Sequence, residues 1–539
     1  MTKNFKAILK NELPVVSCIF ILAFIPRIMD LGSAIIADEQ LWILRSKEFA
    51  RALMSLNFSG THLSGHPGVI TMWLGAISIG VANILFGYNT LSELLFAAQF
   101  PFSLATSIIV VFFYYFTKKA FNPFIASIST VIFGLSPFYL AYSRIIHLDA
   151  VLSGLMILSF LGALIFLKNP DKKLWLILSA FLGGLSILAK VSGVFVIPMT
   201  ALVLIAALFF NHHIQKNDFI FSAARYFSNF IIWLLIVFLV CYVFWPAMWT
   251  NPFEIFSLFI HGPGMVAHEH GQFLLGEPVD DPGALFYFLV LLFRTTPISL
   301  IFLILGILFV LLRFILRIKN IDVLEINLLL CIAYLSFFFI MMSIPGKKAG
   351  RYILPLFPAI AIISGSGIYY TFNFLSQSFN LKRIGRHPII SALVITIPFQ
   401  IFFLVSVFPY FLSYYNPIAG GPKAAEKAIL IGRGEGMDLV AQYLNNKANA
   451  ENLIVASEFQ YLLHVHFKGK VISTHVENYD PDTLKKSDYL VVYISGLQKK
   501  DLRIPPEIYD YFKNHAPEKI FTINNIKYAY IYNLKKAVM

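Results

Sequence analysis

Segments of about twenty apolar residues recur along this 539-residue chain, and each is long enough to cross a hydrocarbon core of about 30 Å. Inside such a core every backbone N–H and C=O must find a partner within the protein, which leaves helices or closed barrels. The apolar stretches are continuous rather than alternating, which argues for helices and against a barrel. Composition agrees: 58% of the residues are hydrophobic and only 13% charged, too few charges for a soluble chain of this length. The sequence therefore reads as a polytopic α-helical membrane protein. Its first apolar segment, about residues 13–29, follows Lys3, Lys6 and Lys10 and lacks a small-x-small cleavage site. It is read as a retained anchor.

The formal net charge is +13, yet most Lys and Arg fall in short loops, where they set topology and meet anionic lipid. Nucleic acid is not an expected partner. Cys18, Cys241 and Cys331 all lie in apolar runs, so neither a disulfide framework nor a thiolate metal site is expected.

Basic clusters orient the spans. Lys118/Lys119, Lys168–Lys173, Arg313–Lys319 and Lys382–Arg386 belong on the cytoplasmic side. Alternation then puts five stretches outside: the loop after Trp245, "PGKKAGRY", "SRIIHLD", the turn at Lys190, and everything after about Phe408. The segment from Pro67 to Phe86 breaks this parity, because both its ends belong outside. It is read as an in-plane or re-entrant helix, giving about eleven crossings. From about Tyr410 short β-rich runs ("NLIVAS", "GKVIST", "DYLVVYIS") alternate with helical stretches, and "KIFTINNIKYAYIYNL" reads as a hairpin turning at Asn524-Asn525. The expected organisation is a membrane domain over 1–410 and a small extracytoplasmic α/β domain over 411–539.

Chemistry-bearing residues collect in the outer stretches. Asp38 and Glu39 follow the first span and precede an amphipathic stretch with Arg45, Lys47, Glu48 and Arg51 beside Leu41, Trp42, Leu44 and Phe49, the pattern of an interfacial helix. A carboxylate there is partly desolvated, and its neighbour is a like charge. Both effects raise a carboxyl pKa and suit a general base. His66-Pro67-Gly68 opens the next apolar segment, with Pro67 read at its first helical position. "SRIIHLD" carries Arg144, His147 and Asp149, and ionisable groups at membrane depth are usually paired or functional; an Arg144–Asp149 ion pair is the purely structural alternative. Lys190, Lys347, Lys348 and Arg351 lie outside against the usual charge bias and suit a phosphate group, Arg as a planar fork and Lys as a point charge. Binding of ordinary anionic lipid is their bland alternative. In "HGPGMVAHEHGQFLLGEPVDDPG", His268, Glu269 and His270 have the residue types of a metal site, with Asp280 and Asp281 as further donors. Their i, i+2 spacing converges only on an extended chain. No cofactor is required by these residues, and a divalent metal stays open. The long loop suits a lid or acceptor-binding role. No nucleotide-binding motif for a driven pump is present.

An acidic pair after the first helix, His-Pro before a short apolar helix, and then Ser-Arg…Asp resemble the GT-C membrane glycosyltransferases. Within them the chain is most similar to the dolichyl-phosphate-mannose–protein mannosyltransferases and the related aminoarabinose transferases of lipid A. The resemblance extends over nearly the whole chain, including "YYNPIAGGPKAAEKAILIGRGEGMDLVAQYLN" at the junction with the soluble part. It implies the GT-C fold and inverting transfer of a sugar, mannose among the candidates, from a polyprenyl-phosphate donor to a protein, glycan or lipid acceptor at the outer face of the plasma membrane. It assigns the catalytic base to Asp38 with Glu39 beside it. It matches His66 to the His-Pro motif, Arg144 and Asp149 to the Arg…Asp element and Lys347, Lys348 and Arg351 to a basic segment, all toward substrate; Lys190 and His268 join them as candidate substrate-binding residues by their position outside. Three departures stand out. The family commonly has two prolines after the His, and here the second is Gly68. Gln99 stands where an arginine is frequent. No β-trefoil insertion is present, so a protein acceptor is the less supported one. A flippase of lipid-linked sugars, or a non-catalytic scaffold, would share the composition but would not need the acidic pair.

The in-plane reading of 67–86 has a direct check. Single cysteines at Ser64 and Asn89, in a background without the native three, should both react with an impermeant thiol reagent added from outside. Labelling of only one of them from that side contradicts this topology.

Overall fold

A computed structural model describes residues 2–88, 90–215, 219–257, 271–316, 322–378 and 387–535. Among them, seven helices are long and apolar enough to cross a membrane, or eight if the bent pair Pro123–Gly134 and Pro137–Ser143 counts as one span. The chain is thus a multi-pass membrane protein. The eleven crossings expected from sequence exceed what length and composition certify, since Val69–Leu85 and Leu174–Ala189 are apolar but shorter.

The helices come in the order α1 (Thr2–Ile28), α2 (Glu39–Met54), α3 (Val69–Leu85), α4 (Leu91–Ala120), α5 (Pro123–Gly134), α6 (Pro137–Ser143), α7 (Asp149–Lys168), α8 (Leu174–Ala189), α9 (Val196–Gln215) and α10 (Phe219–Phe244). Later long helices are Pro297–Leu316, Val323–Ser343, Leu356–Ser378 and Pro388–Val407. α7 lies at the centre. It packs against α4, α8 and α9, and every residue from Asp149 to Leu167 is buried. A helix apolar all round belongs in such a place. Small residues let neighbours close in: a Cβ on Gly367 would lie 2.2 Å from the Phe302 carbonyl oxygen, and one on Gly306 2.3 Å from that of Ile363. Helix backbones in a membrane approach closely where glycine permits it.

α2 is amphipathic as expected. Trp42, Ile43, Ser46, Phe49 and Ala52 are buried, while Leu41 and Leu44 are exposed. α3 starts two residues later than the sequence suggested. Pro67 lies before the helix, and Gly68 is the N-cap at φ +62°, where a Cβ would meet the Trp42 ring at 2.4 Å. Proline, held near φ −65°, cannot stand at that position.

The C-terminal part folds on a five-stranded mixed sheet in the order β4-β3-β5-β7-β6. Its strands are β3 (Ile454–Ser457), β4 (Lys470–Ser473), β5 (Tyr489–Tyr493), β6 (Lys519–Ile523) and β7 (Ile526–Asn533). The β6–β7 hairpin turns at Asn524-Asn525, both at positive φ (47° and 64°), the conformation that Asn tolerates in a two-residue turn. A small hairpin, β1 (Gln272–Leu274) with β2 (Glu277–Val279), joins this part through a bridge from Leu274 to Ile429.

Two ends of the helical body differ in chemistry. At one, Lys118 pairs with Glu12 and Arg225 with Asp171. At the other, the chain around Asp38, the loop before α7, the turn at Lys190, the Lys347–Arg351 segment and the C-terminal domain come together.

Candidate active site

The first carboxylate of interest opens α7. Asp149 is fully buried, and its Oδ1 accepts a hydrogen bond from Lys190 Nζ at 2.7 Å. Its Oδ2 lies 3.1 Å from His147 Nδ1 and 3.5 Å from Arg351 Nε. A carboxylate in a helix's first turn also meets the positive end of the macrodipole. Lys190 reaches it from the end of α8 and stands 4.1 Å from the centre of the Tyr352 ring. The Arg144–Asp149 pair considered from sequence does not form.

Asp38 sits above this group as the N-cap of α2, at φ +82°. Non-glycine residues rarely adopt that conformation, and such outliers collect at functional sites. Three cationic or proton-bearing side chains converge on its Oδ2: Arg433 Nη2 at 2.5 Å, Arg351 Nη2 at 3.2 Å and His147 Nε2 at 3.6 Å. His147 and Arg351 therefore each bridge Asp38 to Asp149. Among the described residues, none makes a hydrogen bond or ion pair with Oδ1 of Asp38, and the side chain keeps 36% exposure. Burial on its own would raise the Asp38 carboxyl, but Arg433, Arg351 and His147 outweigh it and hold the group well below the usual carboxylate range. The raised pKa expected for Asp38 is thus corrected, because the sequence does not reveal how many cations the fold gathers around one oxygen.

Glu39 carries the upward shift instead. Burial pushes it to about 7, against the opposing pull of its hydrogen bonds. Its Oε2 accepts the Ile36 N–H at 2.8 Å, and its Oε1 accepts the Ile146 N–H at 3.2 Å and Gln99 Nε2 at 3.0 Å. With no exposed surface, Glu39 braces the loop that carries Asp38 to the loop that carries His147. Gln99 is its partner rather than a ligand for phosphate.

Two cavities meet at Asp38. One, of about 260 Å³, is lined by Arg294, Lys347, Lys348, Arg351, Arg433, Lys499 and Arg503, with Asp38 and Glu435 as its carboxylates. Not all of this charge is free for a ligand. Arg294 donates to the carbonyls of Leu412 and Tyr414 and to the Tyr415 hydroxyl, and Lys348 is held by Asp281 and the Pro345 carbonyl at 2.7 Å each. The other is a groove of about 610 Å³ between α2, α4 and the helix Gln460–His466. Its lining is mainly leucine, isoleucine and valine. Asp38 and Tyr461 line both.

Of the residues singled out from sequence, Asp38, Asp149, Lys190, Lys347 and Arg351 fall in or against this group. His66 stands close enough to Lys190 and Asp149 to feel their charge; burial lowers its pKa to about 3, and it stays neutral. Arg144 lies elsewhere, donating to the Met29 carbonyl at 2.5 Å in a smaller cavity with Gln99 and Glu435. Its short distance from Asp149 in sequence misleads because the chain turns between them. His268, Glu269 and His270 lie outside the described residues. Among those described, no group of three or more His, Cys, Asp or Glu is placed to hold a metal. Arg433, Lys499 and Arg503 escaped the sequence reading. Only the alternating glycines of "GRGEG" around Arg433 offered a signal, since such a loop presents a side chain in a fixed direction.

The family model for dolichyl-phosphate-mannose-protein mannosyltransferase matches residues 79–249. No curated protein gives a significant match. Among solved structures, ArnT from Cupriavidus metallidurans bound to undecaprenyl phosphate is similar at 12% identity and a TM-score of 0.50, over 96% of this chain and 98% of that one. The archaeal oligosaccharyltransferase AglB from Archaeoglobus fulgidus, in complex with an inhibitory peptide and a dolichol-phosphate, matches at 11% identity and a TM-score of 0.49, over 91% and 70%. The chain has the GT-C fold, with a small C-terminal sheet domain, and resembles the mannosyltransferase and ArnT-like proteins of that fold.

Proposed function

We propose that this protein is an inverting glycosyltransferase that moves a sugar from a polyprenyl-phosphate donor to an acceptor hydroxyl at the outer face of the plasma membrane. The observation that carries the reading is Asp38: one oxygen held by three side chains, the other open, where a cationic cavity meets an apolar groove. Such a junction suits an amphiphile with an anionic headgroup and an apolar tail. Support comes from the matched family and from the ArnT structure, whose ligand is a polyprenyl phosphate. The family's name points to mannose as the sugar.

In this reading the acceptor O–H attacks the anomeric carbon from the face opposite the phosphate. The new C–O bond forms as the bond to the phosphate oxygen breaks, and the leaving polyprenyl phosphate takes that electron pair. The acceptor's proton passes to Asp38 Oδ1. Arg351 and Lys347 absorb the growing charge on the phosphate, so no separate acid is needed. A carboxylate of depressed pKa is a weak base while Arg433, Arg351 and His147 hold it. When a phosphate enters and shares Arg351, the base strengthens as the donor binds. Asp149 and Lys190 fix Arg351 and His147 from below. Removing one member of such a buried pair typically costs about 3–5 kcal/mol, so substitutions there act on folding as well as chemistry.

Asp38→Asn keeps size and polarity but cannot take the proton. Transfer should fall about 10²-fold or more while the protein still inserts and binds donor. Near wild-type transfer by a well-folded Asp38→Asn protein contradicts the assignment. Glu39→Gln swaps one accepting oxygen for an NH₂ that meets N–H groups, so its main effect should be a lower melting temperature, with transfer falling less than for Asp38→Asn.

Lys347 lines the cavity, and Lys347→Ala should weaken donor affinity about ten- to a hundredfold, the usual worth of one contact to a charged group. Unchanged affinity in a donor titration removes it from the phosphate site.

A further inference from the structure

The C-terminal domain reaches the site through one side chain. Arg433 stands in Gly432-Arg433-Gly434-Glu435-Gly436, whose three glycines have φ +87°, +117° and +83°. A Cβ at 432 would lie 2.6 Å from the Tyr493 ring, and one at 434 would lie 2.4 Å from Leu462 Cδ1, so both conformation and close approach demand glycine. The loop is tied to the sheet: the Gly434 N–H donates to the Tyr493 hydroxyl at 3.1 Å, and that hydroxyl donates to the Glu435 carbonyl at 3.0 Å. It is equally tied to the membrane domain, because the Ala37 N–H donates to the Arg433 carbonyl at 2.8 Å. One residue of the C-terminal domain thus holds position 37 by its backbone and position 38 by its side chain.

Titratable side chains face Asp38 from five elements: Arg433 from this loop, Arg351 from the turn before Leu356–Ser378, His147 from the loop before α7, Arg45 from α2, and Tyr461 from the helix Gln460–His466. Of the three that touch Oδ2, His147 and Arg351 also contact Asp149. Among the described residues, Arg433 pairs with Asp38 alone. Its guanidinium is committed to one oxygen of one carboxylate.

We propose that Arg433 is a positioning residue for transfer: by holding Oδ2 of Asp38 it turns Oδ1 toward the acceptor, so that catalysis requires the C-terminal domain to be docked. This rests on the reading of Asp38 as the base. It gives the C-terminal domain a part in the chemistry rather than in anchoring alone, and it makes the Ala37–Arg433 junction the point at which undocking disarms the site.

The test uses full-length protein in nanodiscs and three readouts. Membranes from a strain lacking the protein supply native donor and acceptor, and transfer is followed by mass spectrometry of glycans and lipids. A hydrophobic carbodiimide, which modifies protonated carboxyls, reports the state of Asp38 as pH is lowered. Hydrogen exchange at the Ala37 amide reports docking. Arg433→Ala should slow transfer about tenfold or more with little change in donor dependence, and carbodiimide should modify Asp38 at a higher pH than in wild type. The Ala37 amide should stay protected, because its partner is a backbone carbonyl. Arg433→Lys keeps a point charge without the fork and should restore part of the rate. Gly434→Ala, which displaces the loop, should slow transfer and expose the Ala37 amide together. Wild-type transfer by Arg433→Ala with unchanged Asp38 labelling overturns the proposal while Asp38→Asn is inactive. Loss of activity in Arg433→Ala with an exposed Ala37 amide and no rescue by lysine also overturns it, in favour of a structural role. Full activity of Asp38→Asn instead overturns the base reading on which the proposal stands.

Discussion

A buried carboxylate that stays ionised must be paired where it lies, and Asp149, with no solvent exposure, is held by Lys190 and Arg351. It opens α7, buried from Asp149 to Leu167, so whatever neutralises it must come to the centre of the molecule. Lys190, His147 and Arg351 do so from three different stretches of chain. This requirement brings the end of α8, the loop before α7 and the segment before Leu356–Ser378 to one place. Because His147 and Arg351 each have a second group to offer, the same network reaches upward to Asp38. The buried Asp149–Lys190 pair organises this group, and Asp38 above it has one oxygen held and the other without a partner among the described residues.

The two adjacent acids divide the work by environment. Glu39, with no exposed surface and three N–H partners, is a brace between loops. Asp38, with one oxygen held and the other open, faces both a cationic cavity and an apolar groove. Identical functional groups one residue apart point in opposite directions because α2 begins between them, and the left-handed φ of Asp38 makes that turn.

Much of this was legible in the sequence because hydrophobic length and β-rich patterning act locally. The helical membrane body, the strands at "NLIVAS", "GKVIST" and "DYLVVYIS", and the Asn524-Asn525 turn all follow from short-range rules. Charge placed against the usual bias also marked Lys190, Lys347, Lys348 and Arg351, which the fold brings beside Asp38 and Asp149. What stayed hidden depends on distant pairing. Arg144 looked like a partner for Asp149 but meets the Met29 carbonyl. Arg433 is 395 residues from Asp38, and no local pattern joins them. Two like charges in sequence suggested a raised pKa at Asp38, while the folded cation cluster imposes the reverse.

The proposed reaction is sugar transfer by direct displacement at the anomeric carbon, with one carboxylate base and no covalent intermediate. The most direct measurement is the anomeric configuration of the product. Purified protein would be supplied with polyprenyl-phosphate sugar and acceptor from native membranes, and the new glycosidic bond assigned by nuclear magnetic resonance. The account predicts a configuration opposite to that of the donor, formed together with free polyprenyl phosphate. A product that retains the donor's configuration, or donor that crosses the membrane without losing its sugar, would contradict it.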